Sequence, residues 1–144
     1  MNNKGFTLVE LLATLVILAL VMSIGTVSII TIVNNSKAKN YDLLVKNIKD
    51  AGELYYQECR YSNNSGITCT TSGSSYQITL GDLVRYGYLK GNSKDDDQVF
   101  TIVNPNDNEN IASCTIKVSN VNKQIKIEDV TSSGSCPTQT DYDK

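Results

Sequence analysis

The apolar side chains divide this chain into two parts. Residues 11–33 form an uncharged run of 23 positions, apolar except at Thr14, Ser23, Gly25, Thr26, Ser28 and Thr31. Wound as a helix, such a run extends about 34 Å at ~1.5 Å per residue, enough for the ~30 Å hydrocarbon core of a bilayer. From residue 34 the pattern changes. Tyr41, Leu44, Val45, Ile48, Ala51, Gly52, Tyr55, Tyr56 and Cys59 recur at three- and four-residue steps, as on a helix with one apolar stripe. Lys37, Lys39, Asp42, Lys46, Lys49, Asp50 and Glu53 fall mostly on the opposite side. The polar stretch Asn34-Asn35-Ser36-Lys37 holds no Pro or Gly to stop a helix. The two patterns therefore predict one helix over residues 6–59, apolar all round in its first half and one-sided in its second.

Beyond the helix, residues 60–75 are rich in Ser, Asn, Thr and Gly and predict a loop. Residues 76–78 predict a short strand. Thr79, with Asp82 three positions on, predicts the N-cap of a two-turn helix, and Gly87 its stop. Residues 92–97 read as a charged turn. Residues 99–103, 111–118 and 124–130 alternate like strands. Cys114, Ile116 and Val118 share one face, as do Ile125 and Ile127. Short connections predict an antiparallel meander, whose apolar face is the natural partner for the helical stripe. The polar tail, residues 131–144, is expected to be held only near Cys136. The predicted class is α+β, a long N-terminal helix packed on a small antiparallel sheet.

Composition narrows the chemistry. The chain has 144 residues, a net charge of −2 and a pI near 5.0, unlike the strongly basic footprint of a nucleic-acid binder. The absence of His removes His-based triads, His metal sites and the usual near-neutral proton shuttle. A mean hydropathy of −0.20 resembles an ordinary soluble protein, but that average mixes two unlike segments. Cys59, Cys69, Cys114 and Cys136 all lie beyond the apolar run, and none forms a CxxC pair, so the pattern does not predict zinc. An even set without a His base predicts disulfides and an extracytoplasmic compartment. Of the three pairings, Cys59–Cys69 with Cys114–Cys136 is favoured. The first would tie the loop to the helix end, the second the tail to the sheet.

The amino-terminal residues require a separate account. Ser23-Ile24-Gly25 is a small-x-small triplet that a signal peptidase would accept. Against removal, Lys4 is the sole charged side chain before Glu10, and apolar residues continue to Val33. Glu10 sits at the edge of the apolar run, where a carboxylate is costly and by default has a functional partner. Lys4-Gly5-Phe6-Thr7-Leu8-Val9-Glu10, followed by the apolar run, resembles the class III signal of type IV pilins and pseudopilins. That resemblance implies cleavage after Gly5 by a prepilin peptidase and N-methylation of Phe6. It implies that Glu10 is an assembly residue meeting the charged Phe6 amine of a neighbouring subunit. It also implies a leader at residues 1–5, a transmembrane and assembly segment at 6–33, and an extracytoplasmic domain at 34–144. Such a protein crosses the cell membrane once with its amino terminus cytoplasmic, then joins a cell-surface pilus.

The implied partners are further copies in a helical filament, the peptidase, an assembly ATPase and its membrane platform protein. No cofactor and no enzymatic activity are expected. The stretch from Leu83 to Leu89 resembles the Leu…Gly-Tyr-Leu segment common in pilin-like proteins. One departure is the middle of the apolar helix, where many pilins carry Pro and this chain has Gly25-Thr26-Val27. The reading is a structural subunit of a type IV pilus or related filament. The alternative is a minor pilin or pseudopilin of a secretion or DNA-uptake system. Lys117, Lys123 and Lys126, with Tyr86 and Tyr88, are the candidates for a DNA-binding patch, but solvated strand lysines are commoner and DNA binding is not predicted. Asp95, Asp96, Asp97 and Asp107, with Glu109, form a weak Ca²⁺ candidate whose spacing matches no EF-hand; a solvated acidic turn is the expected reading.

Overall fold

Helix α1 occupies Leu8–Tyr61, within two residues of the span that the two apolar patterns predict. The computed structural model describes residues 6–61, 66–93, 100–131 and 134–143, without the side chains of residues 24–28 and 92–93. The chain separates into two compact units, Met1–Lys37 and Ala38–Lys144. In the first, every described apolar side chain of α1 is exposed, from Leu8 through Leu18 to Val33. The hydroxyls of Thr14 and Ser23 donate to the carbonyls of Leu11 and Leu20, both at 2.8 Å. Those bonds let polar residues sit in an apolar helix with a local partner for the hydroxyl.

The second unit contains the core. Val45, Ile48, Ala51, Tyr55 and Tyr56 of α1 are buried together with Ile78, Ile116, Val118 and Ile127. A four-stranded antiparallel sheet runs in the order β1-β2-β5-β6, formed by Thr70–Ser72, Ser75–Thr79, Thr115–Val121 and Gln124–Asp129. Its inward positions alternate as predicted: Ile116 lies opposite Ile78, and Val118 opposite both Tyr76 and Ile127. Gly52 permits the sheet to approach the helix. A Cβ there would lie 2.9 Å from Ile127 Cδ1 and 3.4 Å from both Ile116 Cδ1 and Val118 Cγ2. Tyr55, fully buried, donates through its hydroxyl to the carbonyls of Thr68 and Gln77 at 3.2 and 3.4 Å, so its polar end is satisfied inside the core.

The short helix α2, Leu80–Arg85, has Thr79 as its N-cap, with the Thr79 hydroxyl accepting from the Asp82 amide at 3.1 Å. It ends at Gly87, whose φ is +80°. There the Tyr88 amide donates to Leu83 O at 2.9 Å and the Gly87 amide to Val84 O at 3.0 Å, the two bonds of a Schellman stop. The β5–β6 hairpin turns on Asn122 and Lys123, with φ of 54° and 67°, as a two-residue primed turn requires.

Four expectations need correction. The predicted loop at 60–75 contains β1, whose pairing with β2 over-rides its Ser/Thr composition. The strand expected at 111–118 starts at Thr115; before it, the Cys114 amide closes a turn onto Ile111 O at 3.0 Å. Of the strand expected at 99–103, residue 99 falls outside the described residues; Phe100–Thr101 form β4, which ends before Ile102 and pairs with β3, Asn92–Ser93, in a separate two-stranded sheet. The neighbour of β5 is therefore β2, and the meander reading fails at that point. Finally, the tail is packed well past Cys136. It forms helix α3, Gln139–Tyr142, with Tyr142 and Pro137 buried. Of the charged turn expected at 92–97, Asn92–Ser93 lie in β3 and residues 94–97 fall outside the described residues.

Gly52→Val is expected to lower the unfolding free energy by about 1–3 kcal/mol, through overpacking against β5 and β6. Urea denaturation followed by tyrosine near-UV circular dichroism reads this as a lower midpoint; an unchanged midpoint would refute the close-approach role.

Candidate functional site

The amino-terminal site is built on the first turn of α1. Thr7 precedes the helix, and its hydroxyl accepts from the Glu10 amide at 3.3 Å while its carbonyl accepts from the Glu10 and Leu11 amides. Thr7 is thus an N-cap with an acid three positions later, the capping-box spacing. The cap escaped the sequence reading, although Thr-x-x-Glu carries its signal. Glu10 lies in the positive first turn of the helix, where an anion is favoured. Its carboxylate has no hydrogen bond or ion pair among the described residues. Phe6 is 79% exposed just before the helix. Gly5 falls outside the described residues.

Among the described residues no helix is long and apolar enough to cross a membrane. The described side chains stop at Ser23 and resume at Ile29, and the apolar run of the amino-acid sequence continues through that interval.

The structure pairs Cys59 with Cys69 and Cys114 with Cys136, at Cα separations of 5.7 and 5.8 Å. Both fall within the usual 4.4–6.8 Å Cα range of a disulfide, with a mode of about 5.5–6 Å. The first links the end of α1 to the segment entering β1. The second links the start of β5 to the tail, beside the buried Asn104, whose side-chain amide donates to Ser135 O at 2.7 Å.

The competing sites separate differently. Lys117 and Lys126 both lie 3.3 Å from Glu128, so each is paired with an acid of the same sheet. Hydrogen bonds from Lys117 and then Lys126 hold the Glu128 carboxyl below the usual carboxylate range. Tyr86 and Tyr88 pack against the core. Asp107 caps its own turn by accepting from the Glu109 amide at 3.0 Å. Asp95, Asp96 and Asp97 lie outside the described residues. Among the described residues no cluster of acids, His or Cys is arranged to hold a metal ion.

Residues 1–26 match the family model of the prokaryotic N-terminal methylation motif, the class III signal of type IV pilins and pseudopilins. No curated protein and no solved structure matches the chain.

Mass spectrometry of the unreduced protein is expected to find Cys59 linked to Cys69 and Cys114 to Cys136. The Cys114→Ser/Cys136→Ser variant is expected to lose about 2–4 kcal/mol of stability. Glu128, with its lowered folded pKa, contributes stability that is present above its unfolded pKa of ~4.3 and lost as pH falls through the folded value. Glu128→Gln is therefore expected to flatten the acid limb of a stability–pH curve.

Proposed function

We propose that this chain, which carries the methylation motif of type IV pilins and pseudopilins, is a structural subunit of a type IV pilus or related filament. The observation that carries this reading is the coincidence of three features. The motif covers residues 1–26, α1 begins three residues after Gly5, and the described apolar side chains that follow are exposed around the helix. The motif implies a prepilin peptidase and a membrane-anchored precursor that passes to a surface pilus.

Cleavage after Gly5 makes Phe6 the new amino terminus, and methylation leaves its amine charged. A cationic amine beside the positive end of a helix is unfavourable, and Glu10 in the first turn offsets it. In a neighbouring subunit the same amine gives Glu10 a partner inside an otherwise apolar bundle. A paired charge is tolerated there and an unpaired one is not. Residues 6–33 hold the subunit in the membrane before assembly. Lipid and filament core are both apolar, so transfer between them yields little hydrophobic gain. Helix packing, the Phe6–Glu10 pair and an ATP-driven platform drive polymerisation. A head-to-tail contact that does not close produces an open filament. No catalytic step is assigned to the chain. The two disulfides support an extracytoplasmic position for residues 34–144.

Intact-mass analysis of the mature protein is expected to show a chain beginning at Phe6 with one added methyl group; a chain beginning at Met1 or Thr26 overturns the reading. Glu10→Ala is expected to leave residues 34–144 folded and to reduce sheared surface filament roughly tenfold or more, since a buried amine loses its partner. Abundance in the sheared fraction separates the main-subunit role from that of a minor pilin or pseudopilin, which would be present in trace.

A further inference from the structure

Helix α3 is four residues long, Gln139–Tyr142, too short to be stable alone. Its bonds reach three other parts of the fold. Gln139 donates through Nε2 to Ile127 O at 3.2 Å and accepts through Oε1 from the Asp129 amide at 3.3 Å, which fastens α3 to the β6 edge. Tyr142 is buried in the core. On α1 the contacts fall at four-residue steps, at Tyr41, Val45 and Lys49. The Tyr41 hydroxyl donates to Asp141 Oδ2 at 3.1 Å, and Lys49 Nζ donates to Tyr142 O at 2.8 Å, a cation on a carbonyl at the end of a helix. Between these bonds Val45 and Asp141 line the same hollow. Asp141 Oδ2 also accepts from the Thr138 amide at 2.9 Å and the Thr138 hydroxyl at 2.8 Å. One carboxylate oxygen therefore both starts α3 and ties it to α1, and hydrogen bonds to a charged acceptor are the strong ones.

Tyr41, Val45 and Lys49 lie in the first turns of α1 that belong to the second unit, which begins at Ala38. Further along, the sheet side holds α1: Gly52 lies against Ile116, Val118 and Ile127, and the Tyr55 hydroxyl bonds the carbonyls of Thr68 and Gln77. We propose that α3 is a strap that fixes where α1 leaves the folded domain, fastened by the Asp141 carboxylate, and that loosening it frees residues 38–47 of α1 first, while the sheet stays folded. The stretch that it holds is about three helical turns at 3.6 residues per turn. Two polar bonds with Val45 between them make the attachment, and elements held by few apolar contacts open locally. Cys136, two residues before Thr138, is joined to Cys114 just ahead of β5. A loosened α3 therefore stays tethered to the sheet and recloses over a short loop, at small entropic cost. The strap involves only residues 38–143 and stands whether or not α1 polymerises.

The test is amide hydrogen exchange on the full chain in detergent micelles, where the apolar half of α1 is covered alike in every variant. Tyr41→Phe keeps the ring and removes the tie to Asp141. It is expected to accelerate the α1 amides of residues 42–48 about fivefold, the effect of one lost hydrogen bond. Asp141→Ala removes the same tie together with the start of α3, and is expected to accelerate those amides by at least as much. In both variants the amides of β5, which lies between β2 and β6, are expected to keep their wild-type rates. Tyr41→Phe/Asp141→Ala is expected to be no faster at residues 42–48 than Asp141→Ala alone, because the two changes break one bond. Unchanged exchange at residues 42–48 in Asp141→Ala overturns the strap. Acceleration shared equally by β5 also overturns it, since the domain then loosens as a whole. Multiplied effects in the double variant overturn the tie between Tyr41 and Asp141 as its fastening.

Discussion

The first half of α1 presents apolar side chains around its whole circumference and finds nothing within the described chain to bury them against. Side chains such as Leu12, Leu15, Ile17 and Leu18, each more than half exposed, leave the hydrophobic effect unsatisfied in water. An apolar phase or other helices must supply what the chain lacks. A single carboxylate, Glu10, interrupts that surface at its start. Its position in the first turn and the hydroxyl cap from Thr7 give the helix a defined beginning next to the proposed processing point. The proposed membrane residence, axial register between copies and dependence on assembly machinery all rest on this one constraint.

The second unit answers a different requirement. It buries one stripe of α1 under a four-stranded sheet, and closeness there depends on Gly52. Two disulfides, the Tyr55 hydroxyl and the buried Asn104 tie irregular segments to that core. The polar groups inside it have partners: among the described residues no buried side-chain nitrogen or oxygen lacks a hydrogen bond. The core of this unit is made by contacts within residues 38–144. Helix α3 closes part of the β6 edge.

Legibility in the amino-acid sequence followed the range of the interactions. The long helix was readable from apolar spacing alone, because three- and four-residue recurrence is a property of adjacent turns. Thr79, Asp82 and Gly87 marked both ends of α2, since caps are satisfied within a few residues. The alternation at Cys114, Ile116 and Val118 gave the buried face of β5. The Thr7–Glu10 cap is equally local, and its Thr-x-x-Glu signal is overshadowed by the charge and processing chemistry of the same residues.

What the sequence determined by itself was thus the division into an apolar and a polar segment, the helix and its stripe, the α+β class and the methylation motif. Each rests on chemistry complete within a few turns or a few alternating positions. Only the tertiary structure decided that β5 pairs with β2 rather than with residues 99–103, and that Thr70–Ser72 joins the sheet. It alone placed Tyr142 in the core and Gln139 on the β6 edge. Those outcomes depend on which segments meet after the chain has closed long loops. A strand's periodicity states which face is apolar and carries no information about its neighbour. A glutamine in a polar tail looks like any other until a strand edge with the matching donor and acceptor is brought beside it.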